Sequence, residues 1–243
     1  GGMASFMVAN RNDRNKEGTL FIDPGFQVQK TQTSILRQDY MSFDVYDYRG
    51  EKLGPKLESF LKTGKVSTIL YSNPNNPSWI CFTEEELRTI GSLAKKYDAI
   101  VIEDLAYFGM DFRSDFSAPG QSPFQPSVWK YCDDYILLIS GSKVFSYAGQ
   151  RIAMMVISEH LYNRRYPDLL RYYSSDIFGR AMIFGALYAL SSGVTHSVQY
   201  GFAAILRAAN DGRFNILDDP RDYGRKAAIM KDIFKQTAMT DII

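Results

Sequence analysis

The 243-residue sequence predicts an α/β fold organised on one mainly parallel sheet. A β-rich run at 66–71 and short apolar runs at 99–102 and 135–139 have the length and residue types of buried strands. A helix-then-strand rhythm occurs twice, as parallel strands with right-handed crossovers require. Polar, chemistry-bearing residues follow these runs, and open α/β sheets take their ligands at the carboxyl ends of strands.

In chain order, residues 4–10 read as a helix with two glycines at its amino end, where free N–H groups face an anion. Residues 10–18 are a polar loop, and 19–23 a strand running into Pro24-Gly25-Phe26. Residues 42–48 alternate apolar and polar, which predicts another strand. Residues 54–61 have helical spacing with Pro55 near the start. The run at 66–71 stops at Ser72-Asn73-Pro74-Asn75-Asn76-Pro77-Ser78-Trp79, whose two Asn-Pro pairs demand a turn. Thr83 and Glu86 form a capping box that opens a helix through Leu87, Ile90, Leu93 and Ala94.

The run at 99–102 ends at Glu103-Asp104-Leu105-Ala106-Tyr107. Asp111 and Asp115 read as solvated, and the Pro-, Gly- and Ser-rich residues 113–129 as a surface loop. After the run at 135–139 come Ser140-Gly141-Ser142-Lys143, then Gly149, Arg151 and a further apolar run at 152–157. A lysine between two apolar runs should sit near the sheet end, partly desolvated, with a lowered pKa. A solvated lysine on a surface turn is the competing reading of these residues taken alone. Beyond them the sequence predicts helix through Leu161, Leu169 and Leu170, a buried helix at 183–190 ended by Gly193, and another helix at 198–209. A polar-faced helix is expected from Asp222.

Lys and Arg total 28 against 27 Asp and Glu, a balance that points to neither nucleic acid nor an acidic membrane. No apolar run approaches the roughly 18 residues of a membrane span. Cys81 and Cys132 are too few and too scattered for a disulfide framework or a zinc site, so reduced thiols and a cytoplasmic location are expected. His160 and His196 stand apart, read as surface or packing residues, and no metal site is expected.

The segment from Ser140 to Arg151 resembles the lysine segment of fold-type I pyridoxal phosphate (PLP) enzymes, in particular the class I/II aminotransferases. The resemblance implies that Lys143 forms the Schiff base with PLP, and that Ser140, Ser142 and Arg151 hold its phosphate together with Gly2 and Met3. The Asn-Pro loop is similar to the family's Asn-Pro-x-Asn-Pro-Thr-Gly, which gives Asn76 to the cofactor's phenolic oxygen. Ser78 and Trp79 depart from that pattern, which bears on the local turn and the substrate channel. Asp104 and Tyr107 match the family's Asp-x-x-Tyr. The aspartate there pairs with the pyridine nitrogen, and the tyrosine donates to the phenolic oxygen. Phe26 is the candidate for stacking on the ring, and a core phenylalanine beside a turn is the equal alternative.

The fold so implied is the three-layer PLP-transferase large domain, with a mainly parallel seven-stranded sheet whose first strand is expected to be missing. A cofactor-binding domain over 1–218 would lead into a helix at 219–243 toward a small carboxyl-terminal domain. The implied activity is transfer of an amino group between an amino acid and a 2-oxo acid by a cytoplasmic homodimer. This chain by itself is expected to be inactive. The alternatives are a PLP-dependent β-lyase or decarboxylase of the same fold, a nucleotide-binding Rossmann-like protein, and an inactive binding domain. No G-x-G-x-x-G follows a strand, which weighs against the Rossmann reading.

Overall fold

The computed structural model describes residues 1–114, 116 and 119–237. Its strands are β1 (Gly18–Asp23), β2 (Tyr40–Asp44), β3 (Val66–Ser72), β4 (Ile100–Asp104), β5 (Tyr135–Ser140) and β6 (Ala153–Ile157). They form one six-stranded sheet in the order β2-β1-β3-β4-β5-β6. Every pairing among β1 to β5 is parallel, and β6 runs antiparallel on β5. The sheet has one strand fewer than the seven expected of an intact large domain.

Helices cover both faces. Leu53, Leu57 and Leu61 of α3 (Leu53–Leu61) join Leu87, Ile90 and Ala94 of α4 (Glu84–Tyr97) over Ile69, Tyr71 and Val101. On the other face, α1 (Gly2–Ala9) lays Phe6, Val8 and Ala9 against Phe21, Leu70 and Ile102. The α2 helix (Val28–Ile35) packs beside α1. All seven residues of β3 are buried: Val66, Ile69 and Tyr71 join one core and Leu70 the other, while the Ser67 hydroxyl bonds Asn12 and the Thr68 hydroxyl bonds Asn10 and Thr19. Polar residues are tolerated inside such a two-faced strand where, as here, their hydroxyls are hydrogen-bonded.

A third cluster holds the loop after β5. Val144, Phe145 and Ile152 pack against Val198 and Phe202 of α8 (His196–Asn210), and the rings of Phe145 and Phe202 meet edge-on at 5.0 Å. Short helices α5 (Glu159–Asn163), α6 (Phe178–Arg180) and α7 (Tyr188–Ser191) precede α8, and α9 (Asp218–Lys235) follows it. Among the described residues no helix is long and apolar enough to cross a membrane.

Several elements differ from the sequence expectation. The strand predicted over 42–48 ends at Asp44, whose carboxylate accepts the N–H of Tyr46 at 2.9 Å and starts a 3-10 turn over Val45–Tyr48. The last long helix starts at Asp218 rather than Asp222. The segment expected as a buried helix at 183–190 is a π-helix over Ala181–Leu187 continued by α7, and it is far from buried. Phe184 is 72% exposed and Tyr188 63%, while Ala181, Met182 and Ala186 are buried and Leu187 packs partly buried against the same core. The helix expected through Leu161, Leu169 and Leu170 is split into α5 and a 3-10 turn over Pro167–Arg171. Asp111 is not solvated: it is 4% exposed and pairs with Arg113 at 2.7 Å. Asp115 lies outside the described residues.

The capping box is present, with Glu86 N–H donating to Thr83 Oγ1 at 3.2 Å and Thr83 N–H to Glu86 Oε2 at 2.9 Å. Glu86 also accepts Arg49 Nε and Nη2, both at 2.7 Å, and the Gly50 N–H at 2.8 Å. Burial pushes its pKa up, but these donors outweigh it and hold the carboxyl at about 2. A carboxylate depressed in the folded state stabilises above its unfolded value and loses that contribution as pH falls through the folded one. Glu86→Gln should therefore lower stability by about 2–3 kcal/mol at neutral pH. Urea melts should show the gap to wild type shrinking as pH falls from about 4.5 toward 2, and a gap that does not change with pH would count against the charge.

Candidate functional site

Four strand ends converge at one side of the sheet. β1 runs into Pro24-Gly25-Phe26, β3 into the Asn-Pro loop, β4 stops at Asp104 and β5 at Ser140. The chain leaves β1 for β2 on one side and returns as β3 on the other, so the strand order reverses there. Such a switch point opens a crevice between diverging loops. A cleft of about 740 Å³ occupies this end, lined among others by Gly2, Phe26, Gln29, Asp104, Ser140 and Arg151.

Register decides which carboxylate serves the cleft. Glu103 and Asp104 are neighbours on β4 and so point to opposite faces. Glu103 is fully buried, and its carboxylate accepts Asn73 Nδ2 at 3.1 Å, the Val128 N–H at 3.1 Å and the Ser127 hydroxyl. Its acceptors are used up in tying two loops to the sheet. Asp104 accepts Gln29 Nε2 at 2.7 Å, the Ala106 N–H at 3.0 Å and, weakly, Ser72 Oγ at 3.5 Å. Burial pushes its pKa up, and those three donors only partly oppose that. A carboxylate in this state gains from any cation brought beside it.

The Asn-Pro loop divides its labour. Asn73 donates to Glu103 and to Pro126 O at 3.3 Å, and its own oxygen accepts the Phe82 N–H at 3.1 Å. Asn75 donates to Pro24 O and accepts Ser78 Oγ at 2.8 Å. Both are buried and structural, whereas Asn76 is half-buried and takes no part in these bonds. Trp79 follows in the left-handed region at φ +59°, which costs a residue with a side chain about 1–2 kcal/mol.

Lys143 departs from expectation. It is exposed rather than partly desolvated, and its Nζ lies 5.3 Å from the centroid of the Tyr107 ring. The neighbours explain this: Val144 and Phe145 turn inward to the third cluster and leave the lysine outward. Ser140 Oγ accepts the Ser142 N–H at 3.1 Å, which tightens the turn before it. Arg151 caps the turn after it at φ +54°, donates Nη1 to Ala148 O at 2.9 Å and pairs with no carboxylate among the described residues. Gly2, Phe26, Asp104, Ser140 and Arg151 thus share the cleft, and Lys143 and Tyr107 meet each other. Met3, Asn76, Tyr107, Ser142 and Lys143 are not among the residues lining that cleft.

Sequence reasoning missed Gln29. It is 5% exposed, holds Asp104 through its amide and leaves its own Oε1 unpartnered in the described structure, as Gln32 does. The α2 helix shows no apolar period to flag it, since its buried positions are Gln29 and Thr33.

The family model for class I and II aminotransferases matches residues 32–215. The chain belongs to that family. A probable aspartate aminotransferase of Methanocaldococcus jannaschii is 24% identical over 227 residues, which is 92% of this chain and 53% of that protein. A probable kynurenine–oxoglutarate transaminase of Saccharomyces cerevisiae is 33% identical over 115 residues, 46% of this chain and 25% of that one. Among solved structures, YbdL of Escherichia coli, for which a methionine aminotransferase function is identified, superposes with a TM-score of 0.69 at 15% identity. That match covers 98% of this chain and 56% of YbdL. An aromatic aminotransferase of Pyrococcus horikoshii superposes at 0.65 with 18% identity, covering 97% and 56%. These structural likenesses bear out the α/β large-domain fold. The chain spans about half the length of the Methanocaldococcus relative and of the two solved structures.

Proposed function

We propose that this chain is the cofactor-binding domain of a PLP-dependent aminotransferase, which moves an amino group between an amino acid and a 2-oxo acid. The observation that carries the reading is Asp104, a buried carboxylate with a raised pKa in the switch-point cleft of an aminotransferase-family fold. The donor set suits PLP. Asp104 offers the negative charge a protonated ring nitrogen needs, and Arg151 has no carboxylate partner among the described residues to compete with a phosphate. Gly2 opens α1 at the same cleft, where a Cβ would stand 3.0 Å from Gln32 Oε1 and oblige that side chain to shift. The unpartnered oxygens of Gln29 and Gln32 are further places for a ligand's donors.

When bound, PLP supplies an electron sink for the substrate's α-carbon. Asp104 would keep that sink effective by holding the ring nitrogen's proton. Asn76 and Tyr107 would donate to the phenolic oxygen, and Phe26, 49% exposed at the cleft, would cover the ring. Gly2, Met3, Ser140, Ser142 and Arg151 would hold the phosphate. Lys143 would be the covalent anchor and the base that moves the α-proton at its Nζ. The carboxyl-terminal residues 219–243 would lead to a small domain, and the whole protein would act as a cytoplasmic homodimer.

Adding PLP tests the reading. Wild-type protein should develop a visible absorption band that borohydride abolishes, leaving the reduced cofactor attached to a peptide containing Lys143. A PLP-labelled peptide elsewhere, or no band at all, would refute it.

A further inference from the structure

Trp79 stands where the family motif has glycine, and the backbone keeps the glycine-like conformation despite the indole. A strained residue persists only when its surroundings over-determine it, and here the surroundings are two aromatic rings. The indole stacks on Phe112 at 5.5 Å with 21° between planes, and meets Tyr107 edge-on at 5.6 Å and 66°. Tyr107 in turn carries the Lys143 amine over its ring. Trp79 also lies three residues from Asn76 on the same loop. The rings therefore bridge the β3 loop to the β4 loop between the two side chains assigned to one oxygen of the cofactor.

We propose that Trp79 is a positioning residue: its indole fixes the Tyr107 ring relative to Asn76 and so sets the hydrogen bond from Tyr107 to the phenolic oxygen of PLP. This rests on the PLP site proposed above. The physical consequence concerns a proton. A donor on the phenolic oxygen withdraws charge from it and weakens its hold on the neighbouring proton, which lowers the pH at which bound PLP changes colour. A Tyr107 ring free to swing donates less, and the midpoint rises.

The experiment is a pH titration of the absorbance of bound PLP in wild type, Tyr107→Phe, Trp79→Gly and Trp79→Phe. Tyr107→Phe should raise the midpoint by about one pH unit, the usual scale for losing one such neighbour. Trp79→Gly should move it in the same direction by at least half as much, although it leaves the tyrosine in place and relieves the backbone. Trp79→Phe keeps a ring against Tyr107 and should stay near wild type. A Trp79→Gly midpoint equal to wild type, with Tyr107→Phe shifted, would overturn the role of Trp79 alone. A wild type with no PLP band, or a Tyr107→Phe midpoint that does not move, would overturn the site assignment beneath it as well. Should Trp79→Gly fail to fold, Trp79→Leu keeps bulk without a ring and carries the same expectation.

Discussion

Replacing Lys143 with alanine in the full-length protein should lower turnover by roughly four to six orders of magnitude, as expected when a covalent catalyst and base is removed. The structure makes this a clean experiment, because Lys143 is exposed and its amine meets only the face of an aromatic ring, 5.3 Å from the Tyr107 centroid. A cation over an exposed ring is worth about 0.5–1 kcal/mol. The thermal midpoint should therefore stay within a few degrees of wild type while activity disappears. PLP should still be retained through its phosphate, since Ser140 and Arg151 are untouched, but borohydride should no longer fix it to the chain. Turnover within tenfold of wild type would remove Lys143 from the mechanism. A large fall in the thermal midpoint would instead give the residue a structural part that its exposure does not suggest.

The sheet and its polar end were legible because their physics is local. Strands buried on both faces are mostly apolar, as Ile69, Leu70 and Tyr71 make β3, and a helix start must satisfy its free N–H groups, as Thr83 and Glu86 do. The choice of Asp104 over Glu103 rests on the resemblance to the family's Asp-x-x-Tyr; alternation along the strand adds only that the two carboxylates face opposite ways. What escaped depended on partners distant along the chain. Gln29 is buried by a carboxylate 75 residues away, and no spacing within α2 announces that. The exposure of Lys143 turns on Val144 and Phe145 finding α8 more than 50 residues on, where the sequence pattern suggested only a lysine flanked by apolar runs. Asp111 was misjudged over a shorter span, because ion pairing with Arg113 and burial under the loop act together. In Trp79 a departure from the motif was visible, but its ring partners Tyr107 and Phe112 lie on another loop.

Asp104→Asn should separate function from stability in opposite directions. The asparagine keeps its one oxygen for the Ala106 N–H, and its NH2, standing where Oδ2 was, can donate to Gln29 Oε1 once the Gln29 amide flips, so the loop geometry should persist. It removes a buried charge whose pKa burial has raised. With the folded pKa above the unfolded one, the native state binds more protons across the interval between them, so wild-type stability falls as pH rises from the ordinary aspartate value to the folded one. The variant lacks that loss, and without cofactor it should be at least as stable as wild type at neutral pH, with a flatter stability profile above the ordinary aspartate value. Binding of PLP should weaken by roughly ten- to a hundredfold, the worth of one charge-assisted hydrogen bond of about 1.5–3 kcal/mol. Turnover of the bound fraction should fall by a further factor of roughly 10²–10³, because the ring nitrogen loses the anion that keeps it protonated when charge develops at the α-carbon. Measuring PLP affinity, turnover at saturating PLP and thermal midpoint on the same preparations decides the matter. If turnover at saturating PLP matched wild type, Asp104 would serve only to bind; if the cofactor-free variant melted well below wild type, the carboxylate would be a structural group after all.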